Sequence, residues 1–123
     1  MNALWIALGG AGGALARYGV YLITVRLWGE HFPWGTLTVN LFGSLLMGLI
    51  TILIIDHFAS SPALRALLLI GFLGAFTTFS SFAMDSIHLM TAGNYSWAAA
   101  NVLVNSLGSL AAAMLGITIG RYF

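Results

Sequence analysis

The stretch GFLGAFTTFSSF (71–82) lies within a long apolar segment and limits what kind of protein this chain can be. Its glycines and its run of threonine and serine residues both compete with regular helix. We therefore predict that the helix breaks between Gly74 and Ser80. In a membrane, unwound backbone is tolerated only where it is buried or lines a cavity. A broken helix presents carbonyl groups that suit a cation and amide groups that suit an anion.

The composition of the whole chain indicates an integral membrane protein. Of its 123 residues, 60% are hydrophobic and only 6% are charged, whereas about 25% are charged in a typical soluble domain. So few charges cannot cover the surface of a soluble globule, which excludes a soluble enzyme, a nucleic-acid binder and a disordered chain. The chain has no cysteine, which excludes disulfides and thiolate metal sites.

Four apolar segments are long enough to cross the bilayer as helices. They cover about 3–28, 35–55, 64–90 and 97–122, and each reaches the roughly 20 residues that a membrane helix needs. None alternates polar and apolar residues as a membrane strand does. The first residues carry no basic group, so we expect the first span to be retained rather than cleaved as a signal. We predict one all-α transmembrane domain over residues 1–123, with the third helix broken.

The arginines give little preference for one orientation in the membrane. With four spans, Arg65 and Arg121 lie on one side and Arg26 on the other, while Arg17 lies within the first span. The positive-inside rule therefore predicts almost no bias. Either copies insert in both orientations, or the one extra arginine fixes a single topology.

Small residues recur every four positions on several predicted helices and allow close helix contacts, within one chain or between two. Because four helices barely enclose a pathway of their own, we expect a homodimer. The stripes are Gly9 and Gly13 in the first span, Ser44 and Gly48 in the second, and Gly108, Ala112, Gly116 and Gly120 in the fourth.

Amide side chains within the spans are candidates for a polar pathway. Asn40 lies near the front of the second span and must find a hydrogen-bond partner in hydrocarbon. It either joins two helices or lines a pathway. Asn101, Asn105 and Ser109 stand at i, i+4 and i+8 of the fourth span, so they share one face. Three polar residues in register favour a polar pathway over simple helix packing.

Phe79 and Phe82 stand three residues apart and share a face of the third span. They either pack against lipid and protein, or turn their electropositive ring edges towards an anion. Nearby N–H and O–H groups would then replace water around a small, strongly hydrated anion. A fixed positive charge could hold the anion too tightly for fast exit. The candidate donors are Asn40, Thr78, Ser80 and Ser81.

Two charged residues inside the predicted spans are functional candidates by default. Arg17 either extends to the interface or attracts ions at a vestibule, whereas we expect Asp85 to be a structural partner near an interface. His31, His57 and His88 are scattered over three segments, which is not the spacing of metal ligands. No nucleophile and base stand together, so we predict that the protein is not an enzyme.

Four motifs in this order resemble the CrcB/Fluc fluoride channel family over nearly the whole chain. They are GGAGGALARY (9–18), GTLTVNLFGS (35–44), GFLGAFTTFSSF (71–82) and GNYSWA (93–98). The resemblance implies a fluoride-selective channel that exports fluoride passively and confers fluoride resistance, in the bacterial plasma (inner) membrane. It also implies an antiparallel, dual-topology homodimer with two pores, each built by both subunits.

The resemblance assigns roles to residues along the pores. Phe79 and Phe82 would be the ring-edge fluoride contacts, and Asn40 would be the pore amide. The polar track would comprise Asn101, Asn105 and Ser109.

Two further roles follow from the same resemblance. Gly74 and Thr77 would offer backbone carbonyls to a structural sodium ion at the dimer interface. Arg17 would be the vestibule arginine.

Three positions depart from the family pattern. Ser81 stands where the family usually has Thr, Asp85 where it has Glu, and Asn101 where it often has Tyr. Serine keeps the hydroxyl, so its chemistry is retained. Asn101 changes the groups available for an anion at that point, but not the class of protein.

Two other functions stand beside the channel. A small multidrug-resistance efflux transporter also has four helices and about this length, but it needs an intramembrane carboxylate, and the only charged residue of the first span's interior is Arg17. A purely structural membrane subunit leaves Asn40 and the polar face of the fourth span unexplained.

Overall fold

The computed structural model describes residues 2–123, which form four long helical spans joined by short connections. The spans cover Asn2–Trp28, Trp34–His57, Pro62–Thr91 and Tyr95–Gly120, and all four are long and apolar enough to cross a membrane. The predicted all-α integral membrane fold is therefore confirmed. Large apolar side chains cover the outer surface, as expected of a surface that contacts lipid.

We label the helices α1 to α5 in chain order. They are α1 (Asn2–Trp28), α2 (Trp34–His57), α3 (62–76), α4 (Phe79–Thr91) and α5 (Tyr95–Gly120).

The third span holds both α3 and α4, and the backbone leaves the helical conformation between them. Thr77 has φ −83° and ψ 157°, and Thr78 has φ −152° and ψ 118°, so both residues are extended. Thr78 then caps α4, because its Oγ1 accepts a hydrogen bond from the Ser81 N–H at 3.2 Å. Within α3, the stretch Arg65–Leu73 forms nine residues of π-helix, a geometry that is usually limited to single turns.

The four spans pack as two pairs. α2 lies along α5, and α1 lies along α3. At Gly48 and Gly116 the backbones of α2 and α5 touch, since an added Cβ at either position would meet a backbone carbonyl of the facing helix. Gly9 and Gly13 of α1 meet α3 in the same way. These small residues thus serve packing within one chain, which is one of the two roles that the sequence left open.

The buried core between α2 and α3 sets the place where the third span unwinds. Val39, Leu73 and Phe76 belong to one apolar cluster, in which Val39 and Leu73 are at most 1% exposed. Asn40 follows Val39 on α2, and its amide bonds the backbone of Thr78, two residues after α3 ends. The polar centre of the molecule is built around this contact.

Candidate functional site

Asn40 binds the extended backbone between α3 and α4 at two points. Its Nδ2 donates to the Thr78 carbonyl oxygen at 3.0 Å, and its Oδ1 accepts from the Thr78 N–H at 2.8 Å. The side-chain amide thereby takes the place of the helical partners that an unwound residue loses. Backbone polar groups inside a membrane need such replacement partners. Asn40 therefore stabilises the extended backbone of the third span at Thr78.

This arrangement diverts two N–H groups from the carbonyls that they would bond in a regular helix. In an α-helix each N–H bonds the carbonyl four residues earlier. The Thr78 N–H would reach Gly74, but it bonds Asn40 instead. The Ser81 N–H would reach Thr77, but it bonds the Thr78 hydroxyl. The carbonyl groups of Gly74 and Thr77 are thus released from these two helical bonds.

A chain of hydrogen bonds leads from Asn40 through the fourth span and back to the third. The Asn40 Nδ2 also donates to Asn105 Oδ1 at 2.9 Å, and Asn105 Nδ2 donates to Asn101 Oδ1 at 2.7 Å. Asn101 Nδ2 donates to Ser86 Oγ at 2.9 Å, and Ser86 donates to the Phe82 carbonyl at 2.9 Å. Every donor points the same way along this chain, which joins α2, α5 and α4.

Beside this chain lies a cavity of about 480 Å³. It extends from the unwound backbone along the polar face of α5, and all of its lining side chains are uncharged. Hydroxyl, amide and aromatic groups share the wall with two aliphatic side chains. The lining consists of Asn40, Ser44, Thr77, Thr78, Phe79, Phe82, Asn105, Ser106, Ser109, Leu110 and Ala113.

Two aromatic rings meet edge to face at the N-terminal turn of α4. The ring centroids of Phe79 and Phe82 lie 5.3 Å apart with an interplanar angle of 66°. Phe82 is only 8% exposed, whereas Phe79 is 79% exposed on this chain. The two rings share a face, as their spacing predicts, but Phe82 belongs to the interior and Phe79 projects outward.

The structure brings most of the predicted site residues to this cavity, and leaves some away from it. Asn101 has no exposed surface and lies behind Asn105 in the hydrogen-bonded chain. Ser80 is exposed, and Ser81 is half-buried in the cap of α4; neither lines the cavity. Gly74 and Arg17 are also outside its lining; Gly74 is exposed and Arg17 is half-buried on α1.

The cavity wall includes two serines that were not among the predicted site residues. Ser44 lies four residues after Asn40 on α2, and this helical spacing places it on the same face of the second span as Asn40. Ser106 also lines the cavity, but it follows Asn105 directly and matches no periodic pattern. Its position could not be found without the structure.

Asp85, in the middle of α4, lies in a separate hydrogen-bonded chain. Thr36 Oγ1 donates to Asp85 Oδ2 at 2.8 Å. Because this uses the only hydrogen of the Thr36 hydroxyl, the Tyr21 hydroxyl 3.1 Å away donates to Thr36. Asp85 thus ties α4 to α2 and α1. Among residues 2–123, no group of three or more His, Cys, Asp or Glu side chains is placed to hold a metal ion.

Comparison with known proteins agrees with the motifs of the sequence. A family described as CrcB-like protein, Camphor Resistance (CrcB), matches residues 4–117. Proteins named fluoride-specific ion channel FluC are 50% identical in Coxiella burnetii (strain Dugway 5J108-111) and 48% identical in Magnetococcus marinus, each over 98% of both chains. A protein of the same name from Hydrogenovibrio crunogenus is 45% identical over 100% of this chain and 93% of its own.

These names describe ion channels and not enzymes, as the absence of a nucleophile–base pair predicts. The family match covers all four motifs and nearly the full length. The chain therefore belongs to the CrcB family.

Proposed function

We propose that this protein is a fluoride-selective channel that lets fluoride cross the bacterial plasma membrane passively and so confers fluoride resistance. The observation that carries the proposal is the uncharged cavity beside the unwound third span, which is lined by amide, hydroxyl and aromatic groups. Its relatives named fluoride-specific ion channels support the choice of anion. A wall without fixed charge suits conduction, because binding must be weak enough for the ion to leave.

The cavity offers donors that can replace part of the hydration shell of fluoride. Both hydrogens of the Asn40 amide are already engaged, one with Thr78 and one with Asn105. Asn105 gives one amide hydrogen to Asn101, which leaves its second hydrogen for a ligand in the cavity. We therefore assign Asn40 the role of shaping the wall and Asn105 that of amide donor. Hydroxyl donors are available from Ser44, Ser106 and Ser109.

The aromatic rings complete the polar wall. The positive edge of an aromatic ring attracts an anion without a full charge. Phe82 presents its ring from the interior of the chain, and Phe79 projects from its surface. We propose that both ring edges contact fluoride, together with the hydroxyls of Ser80 and Ser81 near the start of α4. The Thr78 hydroxyl donates its only hydrogen to Ser81 Oγ at 3.0 Å, so we assign Thr78 to the wall rather than to the donors.

We propose that the functional unit is an antiparallel, dual-topology homodimer with two pores. The outward position of Phe79, at 79% exposure, supports a second subunit that supplies the other side of each pore. The weak charge bias between Arg26 and the pair Arg65 and Arg121 supports insertion in both orientations. Half-buried Arg17 on α1 would attract anions to a vestibule.

A structural sodium ion at the centre of the dimer fits the backbone of this chain. The carbonyls of Gly74 and Thr77 have lost the N–H partners that they would have in a regular helix, and free carbonyls at the end of a half-helix suit a cation. Gly74 is also exposed on the surface of the single chain. We propose that these two carbonyls of each subunit hold sodium, which when bound would supply positive charge to the dimer interface.

Fluoride efflux from liposomes tests the proposed function. Liposomes that contain the purified protein and fluoride are diluted into fluoride-free buffer, and the released fluoride is measured with an electrode after addition of a potassium ionophore. Parallel liposomes contain chloride. We expect rapid loss of fluoride with chloride retained. Retention of both anions by protein shown to be folded and dimeric would contradict the proposal.

A further inference from the structure

We propose that Ser86 is a positioning residue for the anion pathway: its hydroxyl orients the Asn101 amide, and Asn101 in turn holds the Asn105 amide that faces the cavity. The inference rests on the proposed fluoride channel and adds to it a residue outside the cavity. Ser86 is 7% exposed and does not line the cavity. It therefore acts on an anion only through its neighbours.

The hydroxyl of Ser86 has a fixed direction. Its single hydrogen goes to the Phe82 carbonyl at 2.9 Å, so towards α5 it can only accept. Asn101 must then present its Nδ2 to Ser86, at 2.9 Å, and its Oδ1 to Asn105. An apolar side chain at position 86 would offer no acceptor and would leave the orientation of Asn101 undetermined.

The orientation of Asn101 decides how many hydrogens Asn105 can offer to the cavity. One Asn105 hydrogen is held by Asn101 Oδ1 at 2.7 Å, and Asn105 Oδ1 is held by Asn40 at 2.9 Å. The amide plane of Asn105 is thus fixed at both of its ends. Without Asn101, the amide keeps only the Asn40 contact and can turn about it.

The same hydroxyl also contacts the first turn of α4, through the Phe82 carbonyl. The hydrogen-bonded chain begins at the Thr78 N–H, which donates to Asn40, and ends at the carbonyl of Phe82, so it closes on one turn of the third span. Ser86 is the link that joins this turn to α5. Its removal would break the link between this turn and Asn101, and so would loosen the Asn105 amide that we assign to fluoride.

The test measures fluoride efflux from full-length protein in liposomes at a series of fluoride concentrations. We expect Ser86→Ala to raise the half-saturating fluoride concentration by about tenfold, because a buried hydrogen-bond donor loses its partner. Ser86→Thr, which keeps the hydroxyl, should restore the wild-type value. The half-saturating concentration does not depend on how much folded protein the liposomes contain, so a merely structural role would leave it unchanged.

Thr118→Ala is the matched control. Thr118 Oγ1 also donates to the carbonyl four residues earlier, at 2.8 Å, but on an exposed face. This variant should match the wild type. Asn101→Leu removes the link between Ser86 and Asn105 with little change in volume, and we expect it to give the same increase as Ser86→Ala. It also replaces Ser86→Ala as the test if that variant fails to fold.

The double variant separates the possible outcomes. If Ser86 acts through Asn101, Ser86→Ala combined with Asn101→Leu should shift the half-saturating concentration no further than either change alone. Additive shifts, or wild-type values in both single variants, would overturn the inference while the channel stands. A wild-type protein that conducts no fluoride would overturn both.

Discussion

At the scale of single residues, the contacts of Asn40 connect the unwound backbone of the third span to the polar chain of α5. A side-chain amide can donate two hydrogen bonds and accept two, and both of its hydrogens are used, for Thr78 and Asn105. Its oxygen receives the Thr78 N–H. One residue thereby compensates for the unwound backbone and anchors the polar chain, which explains why an amide rather than a hydroxyl is needed here.

We expect Asn40→Ala to destabilise the fold by on the order of 2 kcal/mol, because the backbone N–H and carbonyl of Thr78 lose their partners. Thermal denaturation of the purified protein in detergent measures this loss. Thr51→Ala is the control on the same helix, since Thr51 bonds only the Met47 carbonyl, at 2.6 Å. Equal melting temperatures for the two variants would show that the hydrogen bonds between Asn40 and Thr78 contribute little to stability.

We expect Phe79→Leu to leave the melting temperature unchanged but to slow fluoride efflux by up to about tenfold, because leucine lacks a positive ring edge. Phe79 is 79% exposed, so its loss costs the fold of the single chain little. Phe42→Leu is the control, because Phe42 is 51% exposed on α2 and lies outside the cavity. Wild-type efflux in Phe79→Leu would remove this ring from the pathway.

At the scale of helices, periodicity predicts which residues share a face but not how deeply they are buried. The spacing of Asn101, Asn105 and Ser109 places them on one face of α5, and Asn105 and Ser109 do line the cavity. Asn101 does not, because Ser86 of α4 covers it and accepts its hydrogen bond. That depth depends on how α4 packs on α5, which no local pattern of the sequence contains.

The third span shows the same limit in its backbone. Glycine, threonine and serine residues of 71–82 indicate weak helix, but they do not state which residue unwinds. Thr78 unwinds because Asn40, which is 38 positions earlier, lies opposite it and supplies both partners. The π-helical stretch Arg65–Leu73 cannot be predicted from the hydrophobic pattern of the sequence.

We expect Gly116→Val to destabilise the protein by roughly 3 kcal/mol, since added side-chain atoms in a tight contact force the backbones apart. An added Cβ at Gly116 would meet the Leu45 carbonyl of α2. Gly19→Val is the matched control, because nothing lies within 4 Å of a Cβ at Gly19 and the change in helix propensity from glycine to valine is the same. Similar melting temperatures would show that α2 and α5 can separate without penalty.

At the scale of the whole molecule, the distribution of charge governs how the chain enters the membrane. Arg26 lies at the end of α1, whereas Arg65 and Arg121 lie on the opposite side by the count of spans. The two sides therefore carry similar numbers of arginines, and the positive-inside rule favours neither orientation clearly. An antiparallel dimer needs both orientations in one membrane, so the proposed assembly requires this weak bias.

The native chain has no cysteine, so single cysteines report orientation without background. Ala92→Cys and Ser60→Cys place exposed thiols in connections on opposite sides of the membrane. Intact spheroplasts are treated with a membrane-impermeant maleimide, and lysed cells give the total. We expect about half of each variant to react in intact cells, because neither orientation is favoured. Complete labelling of one variant and none of the other would establish a single topology, and with it a parallel arrangement that excludes the proposed dimer.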